Sequence, residues 1–266
     1  MYFKGKEHWA VILGGSSGFG LATAQILARE GMNLCIVHRD RRQRLAEIER
    51  HFEDLRSPGI QVISFNSDAL KQDNRQGVLE QLQDKMSQGQ GKVRLLLHAI
   101  AKGNLKRMAS DTEEELLLQN QDFTLTIQAM ALSLYDWTKS LWERKMFAKD
   151  ARILGLTSAG NTKAWPYYAA VSAAKSTLEA LVRSMALEFA EFGIRTNVIQ
   201  AGITDTPSLR MIPGHEDLME YAEKHNPFRR LTKPEDVAQV VYLLTRDEAA
   251  WINGALIPVD GGEKLV

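Results

Sequence analysis

The sequence holds a single cysteine. Cys35 lies in the apolar run LCIV and has no partner for an intrachain disulfide, so it reads as a buried structural thiol and not a nucleophile. Charge of one sign is also missing: 33 basic residues balance 33 acidic ones, which argues against a general binder of nucleic acid or anionic membrane. No apolar run is long enough to span a bilayer. The opening MYFKGKEHW has no apolar core of the kind a signal peptide needs, so a cytoplasmic enzyme is expected. Repeats, low-complexity tracts and long linkers are absent as well. With 266 residues, 44% of them apolar and 25% charged, a single globular domain over 1–266 is expected.

What is present alternates between two patterns. Apolar runs at Trp9–Leu13, Asn33–Val37, Ile60–Phe65, Val93–Ile100, Arg152–Leu156, Arg195–Gln200 and Ala255–Val259 predict strands. Between them come helical patterns: LATAQILAREG with its stop at Gly31, Gln43 to about Leu55, Gln72–Met86, about Phe123 to Lys145, Tyr168 to about Phe192, and Pro234–Leu244 behind a Thr-Lys-Pro-Glu cap. The acidic run DTEEELLL predicts a solvated helix start. This alternation specifies an α/β fold, a single-domain doubly wound parallel sheet of about seven strands with helices on both faces.

The first strand runs into GGSSGFG, residues 14–20, and then a helix. Strand, glycine loop and helix together form a phosphate cradle. Gly14 permits the tight turn, Gly18 lets a pyrophosphate approach, and Gly20 lets helix and strand pack closely. Ser16 and Ser17 add hydroxyl donors, and Phe19 lies in the same loop. At the end of the second strand, where an NAD enzyme places an acid, stands His38-Arg39-Asp40-Arg41-Arg42. Arg39 is placed to meet a 2′-phosphate, which favours NADPH over NADH; the alternative is that these arginines solvate a helix start. Asp68, closing the third strand, either accepts from an adenine amino group or caps the next helix. The fourth strand ends in His98-Ala99-Ile100-Ala101, whose small residues leave room for a cofactor at Ala99; His98 is given no catalytic role.

Ligands bind at the carboxyl edge of such a sheet. That edge offers Ser158 after the fifth strand and AGITDT after the sixth, where Gly202, Ile203 and Thr206 can meet a carboxamide or a phosphate. Residues 204–228, with Met211, Leu218, Met219, Tyr221 and Phe228 in or at the end of the segment, predict a lid over an apolar substrate.

In WPYYAAVSAAK, residues 165–175, Tyr168 precedes Lys175 by seven positions, and on one helix that spacing returns to nearly the same face. A phenol and an ammonium there make a proton-donating site, the ammonium lowering the cost of phenolate. Tyr167 is the competitor, but lies roughly 80° off that face. The plainer reading is a helix start with two packing aromatics and a snorkelling lysine.

GGSSGFG, TSAG, AGITDT, RRLTKPEDVA and INGALIPVDGG, in this order over nearly the whole chain, resemble the short-chain dehydrogenase/reductase family. The resemblance implies a single domain, a nicotinamide cofactor and a homotetramer. Four departures stand out. Val171 occupies the usual tyrosine position four residues before the lysine, HAIA replaces N-N-A-G, the usual asparagine falls near Gln128, and Ala201-Gly202 replaces Pro-Gly. A tyrosine seven before the lysine, with Ser158, is similar to the NADPH-using bacterial enoyl-acyl-carrier-protein reductases. The implied reaction is reduction of a trans-2-enoyl thioester, on acyl carrier protein or CoA. Tyr168 would stabilise the enolate, Lys175 would bind the ribose, and Ser158 would orient substrate or tyrosine. A carbonyl reductase of 3-oxoacyl thioesters and a non-catalytic NADPH-binding homologue remain alternatives. Arg210, Lys224, Arg229 and Arg230 are candidates for docking an acidic carrier protein. No metal, nucleic acid or membrane partner is expected.

Overall fold

Side chains alternate along β1 (His8–Leu13) and thereby define the two layers of the molecule. Trp9, Val11 and Leu13 join one buried cluster, and Ala10 and Ile12 join the other. Each fully buried Leu or Ile contributes about 1.5–3 kcal/mol, so two such faces account for much of the folding drive. The computed structural model describes residues 1–56, 59–111 and 116–265.

The remaining strands are β2 (Asn33–His38), β3 (Val62–Asn66), β4 (Lys92–His98), β5 (Phe147–Ser158), β6 (Ile194–Ala201) and β7 (Leu256–Val259). They form one parallel sheet in the order β3-β2-β1-β4-β5-β6-β7. Helices α3 (Gln72–Ser87), α5 (Ser133–Glu143) and α6 (Ala169–Glu188) cover the Trp9 face. Helices α1 (Gly18–Arg29), α2 (Leu45–Leu55) and α8 (Pro234–Thr245) cover the Ile12 face. The strand order reverses between β1 and β4, and a crevice opens there at the carboxyl ends. Helix α4 (Asn120–Ile127) and helix α7 (His215–His225) flank that end.

Several elements differ from the sequence expectation. β5 begins at Phe147, five residues early: Phe147 pairs with Val93 ahead of a register shift, after which the regular ladder resumes at Arg152 opposite Leu95, so the charged Lys149 and Asp150 interrupt the apolar pattern without ending the strand. The helix expected over 123–145 starts at Asn120 and is interrupted by a π-helical turn over Gln128–Leu132. Gln128 Nε2 there donates to Asp136 Oδ2 at 3.1 Å. A 3-10 turn over Arg42–Arg44 precedes α2, so the regular helix starts at Leu45 and not Gln43. Of the acidic run, residues 112–115 lie outside the described residues, and 116–118 are irregular.

At the amino end of the sheet, adjacent strands β4, β5 and β6 contribute Arg94, Arg152 and Arg195. All three converge on Asp150: Arg94 Nη1 is 2.6 Å from Oδ2 and Arg195 Nη1 2.6 Å from Oδ1, with Arg152 bridging both oxygens. Arg94 and Arg152 also donate to the carbonyls of Thr245 and Leu244, the open end of α8. Cations suit a helix carboxyl end, so the cluster fastens α8 to the sheet.

Candidate active site

The glycine loop is shaped by contacts that no side chain would fit. Gly14 has φ +86, and a Cβ there would stand 2.7 Å from the Ala99 carbonyl oxygen. A Cβ on Gly20 would stand 2.2 Å from the Gly14 oxygen, so α1 packs directly on the turn. Ser17 precedes α1, its side chain makes no capping bond, and the first turn carries no acid. The N–H groups of that turn therefore face outward uncapped, as an anion site requires. Ser16 is buried in the loop, and Gly18, at φ +52, lies across from Thr206, whose methyl would be 3.5 Å from a Cβ. The Thr206 hydroxyl accepts from Leu209 N, at the start of a 3-10 turn.

Arg39 and Asp68, read separately in the sequence, form an ion pair of 3.1 Å. Asp68 does not cap α3, whose N-cap is Lys71; its carboxylate instead accepts from Leu70 N at 3.1 Å. Asp40, the acid available to a ribose diol, is turned inward between His38 Nδ1 at 3.0 Å and Arg44 Nη1 at 3.1 Å. The Arg39 side chain stays 62% exposed beyond it.

Across β4 a cleft of about 760 Å³ opens, and Phe19, Ala99, Ser158, Tyr168, Lys175, Gly202, Ile203 and Thr206 all line it. Gly14, Ser16, Ser17, Gly18, Gly20, Arg39 and Asp68 lie outside its lining, toward β1 and β2. Together the two groups trace one path across the carboxyl edge, from an exposed cation past a helix start to a buried phenol. Most of the cleft surface is apolar.

Tyr168 is the N-cap of α6, its carbonyl accepting from Ser172 N at 2.8 Å, so it stands at the start of the helix that carries Lys175. Its hydroxyl lies 3.2 Å from Ser158 Oγ at the end of β5. Burial pushes the phenol above its usual range, with the Ser158 hydrogen bond opposing. The phenol is thus a neutral donor, and the expected lowering by Lys175 does not appear: Lys175 Nζ donates to the Leu156 carbonyl at 2.6 Å. Burial pushes the Lys175 ammonium down to about 8, with the Glu179 carboxylate opposing. Tyr167 takes φ +67, and its ring lies against Arg107, 5.1 Å from the guanidinium carbon. Of the two tyrosines, Tyr168 lines the cleft.

His98 is buried with Nε2 2.7 Å from Ser133 Oγ, and burial holds it neutral, pushed down to about 3. Among the described residues no group of His, Cys, Asp and Glu could hold a metal, and no helix is long and apolar enough to cross a membrane.

Sequence reading missed three parts of the site. Trp165 meets Tyr168 edge-on with ring centroids 5.6 Å apart, and Gly160 lies under the tyrosine ring. Gly103 packs against Val171. Glu263, from the tail, closes one wall of the cleft. Gly160 and Trp165 stood within quoted motifs and were findable there; nothing in the sequence pointed to Gly103 or Glu263. In the expected lid, Met211 and Leu218 reach the cleft, whereas Phe228 does not line it. Of the expected basic patch, Arg210 pairs with Asp205 and Arg230 with Asp236, while Arg229 donates to the Lys224 backbone carbonyl and keeps its charge.

An uncapped helix start behind a glycine turn, leading along a parallel sheet to a neutral phenol in an apolar cleft, defines a dinucleotide-binding oxidoreductase of the α/β class. Residues 14–264 match the family described as Enoyl-(Acyl carrier protein) reductase. The chain belongs to this family of short-chain dehydrogenases/reductases, oxidoreductases that use nicotinamide cofactors. It is 28% identical over 256 residues to a tropinone reductase homologue of Arabidopsis thaliana, covering 95% of this chain and 89% of that one. It is 26% identical over 259 residues to 1-cyclohexenylcarbonyl-CoA reductase of Streptomyces collinus, covering 97% and 87%. The Bacillus cereus enoyl-acyl carrier protein reductase, solved with NADP+ and an indole naphthyridinone, shares the fold with a TM-score of 0.85 at 23% identity, covering 100% and 98%.

Proposed function

We propose that this protein reduces the 2,3 double bond of a trans-2-enoyl thioester at the expense of NADPH. The observation that carries the reading is the place of the acidic hydroxyl. Tyr168 stands over the cleft beside Ser158, while Val171, nearer Lys175 along α6, has no proton to give. Carbonyl reduction needs a donor beside the carbon that receives hydride. Enoyl reduction develops charge on the thioester oxygen, two carbons further away, and so needs its donor displaced.

The chain's residues fit the cofactor. The turn at Gly14–Gly20 and the start of α1 would hold the pyrophosphate, and Arg39 the 2′-phosphate. Asp40, tied to His38 and Arg44, is withdrawn from a ribose diol, which supports NADPH over NADH. Ala99, Gly202, Ile203 and Thr206 would flank the nicotinamide, and Lys175 would leave the Leu156 carbonyl for a ribose hydroxyl. Asp68 would keep Arg39 in place or meet the adenine. When bound, NADPH supplies the hydride.

Tyr168, kept neutral by burial, donates its hydroxyl hydrogen bond to the thioester oxygen and stabilises the enolate. Ser158 fixes the phenol's direction. The Lys175 ammonium keeps the local potential positive. Apolar walls, with residues 204–228 as a lid, exclude water from the enolate. The Streptomyces collinus relative, by name a reductase of an enoyl-type CoA thioester, supports the same bond type.

A homotetramer in the cytoplasm, acting in fatty-acid or related biosynthesis, completes the proposal. Trp251 is 96% exposed, and Leu243 and Leu256 are exposed as well, apolar side chains of a kind that a second copy would cover. Light scattering at micromolar concentration gives the assembly.

The deciding assay is NADPH oxidation with crotonyl and longer 2-enoyl thioesters, on CoA and on acyl carrier protein, beside 3-oxoacyl thioesters. Enoyl turnover is expected, falling by about 10²-fold or more in Tyr168→Phe. Turnover of 3-oxoacyl thioesters alone would overturn the reading in favour of a carbonyl reductase. NADPH binding without any turnover would identify a non-catalytic homologue.

A further inference from the structure

The carboxyl end of β6 brings to the cleft the backbone N–H of Ile203, which is already occupied by a residue of the cleft wall. The Ile203 N–H is directed at the Glu263 carboxylate, 3.0 Å from Oε2 and 3.3 Å from Oε1. The Ile203 carbonyl accepts from Thr232 N at 3.1 Å. Gly202 is wedged between the same partners: a Cβ there would stand 2.4 Å from Thr232 Oγ1 and 3.0 Å from Glu263 Oε2.

Glu263 is brought to this place by a folded tail. The Asp260 carboxylate accepts from Gly262 N at 2.9 Å and Lys264 N at 3.4 Å, and Asn226 Nδ2 donates to the Asp260 carbonyl at 2.9 Å. A 3-10 turn over Glu263–Leu265 follows. Glu263 also walls a second cavity of about 270 Å³, with Trp165, Leu218 and Tyr221. The carboxylate therefore stands between two hollows, with space on both sides to move into. Burial pushes its carboxyl above the usual range against the Ile203 N–H, so holding it ionised in this position costs free energy.

A donor at the carboxyl edge of a parallel sheet, facing an apolar cleft, is what a neutral carbonyl oxygen of a bound ligand would take. A carboxylate and a carboxamide oxygen compete for one N–H. We propose that Glu263 is a displaceable stopper on the Ile203 N–H: it holds that donor until the carboxamide of a nicotinamide cofactor takes it, and release sends the Glu263 side chain toward the second cavity. This rests on the NADPH reading above. In it, Glu263 is a positioning residue that lowers cofactor affinity and ties the tail to occupancy of the site.

The test is equilibrium titration of full-length protein with NADPH, followed by nicotinamide fluorescence, for wild type, Glu263→Gln and Glu263→Ala, with amide hydrogen exchange at Ile203 as a second readout. Thermal unfolding of each variant checks the fold, and the isosteric glutamine keeps the test valid if the alanine variant is unstable. Removing the competing charge is expected to tighten NADPH about tenfold in the alanine variant and less in the glutamine variant. Exchange at Ile203 should quicken in the unliganded alanine variant and slow again with NADPH. Equal affinity in all three, or weaker binding in the variants, would overturn the stopper and leave the cofactor reading standing. No NADPH binding by any of the three would overturn both.

Discussion

Val171 lies directly on Gly103: a Cβ at position 103 would stand 2.5 Å from Val171 Cγ2 and 2.9 Å from Thr126 Cγ2. The segment carrying Gly103 is pinned on its far side, where Asn104 Nδ2 and Lys106 Nζ reach the Asp122 carboxylate at 2.7 and 3.0 Å. The space that a tyrosine at 171 would need is therefore filled by backbone. Gly103→Ala is expected to lose about 1–3 kcal/mol of stability through overpacking, read by urea unfolding. Val171→Tyr, at a position that lines the cleft against Gly103, is expected to lose as much by overpacking, read by the same unfolding measurement.

Gly160 makes a second close fit, this time to the proposed donor. A Cβ there would stand 2.3 Å from Tyr168 Cε1 and 2.9 Å from the Trp165 ring. Gly160→Ala must push the tyrosine ring away from Ser158. We expect kcat to fall about 10²-fold, since a shift of about 1 Å at a reacting group costs that much, beside a stability loss of about 1–3 kcal/mol from overpacking. Steady-state kinetics alongside a thermal melt separates this from plain misfolding.

Lys175 gives a pH signature. Its value in the folded chain, about 8, lies below that of an exposed lysine. Below pH 8 it is charged in both folded and unfolded chains, and burial of the charge opposes folding. Between about 8 and the ordinary lysine range the unfolded chain binds the extra proton, so stability from this group rises with pH. Lys175→Met should remove that rise, as measured by denaturant midpoints at pH 7 and 10. Activity should move the other way, falling above about pH 8 as the ammonium is lost.

The ion pair of Arg39 with Asp68 bears on cofactor choice. Arg39→Ala is expected to weaken NADPH about tenfold and leave NADH nearly unchanged, because only the former offers a 2′-phosphate for a charge-assisted contact. Fluorescence titration with both nucleotides gives the ratio.

Much of this site could be read in advance, for identifiable reasons. The strands of a doubly covered parallel sheet are continuous apolar runs, so LCIV and AVIL announce themselves. The glycine turn and Arg39 sit next to such runs and were legible with them. The π-helical turn was not, since Gln-Ala-Met-Ala-Leu is an ordinary helix-forming string and its extra residue is fixed by tertiary contacts. The sequence singles out Tyr168, which lines the cleft, but not its place at the N-cap, because Trp-Pro-Tyr-Tyr leaves the helix start open by a residue or two. The buried state of Arg94 and Arg152 was invisible for a different reason. Their partners, Asp150 and the end of α8, lie up to 151 residues away.

That arginine cluster shapes how the protein comes together. Two guanidinium groups, at Arg94 and Arg152, enter the interior, and each needs both Asp150 and the last carbonyls of α8 to replace the water it gives up. A chain stopped before Thr245 would have β4, β5 and β6 ready to pair but three cations with one carboxylate between them. The central strands and the final helix are therefore mutually dependent: the two buried guanidinium groups are satisfied only where sheet and helix meet.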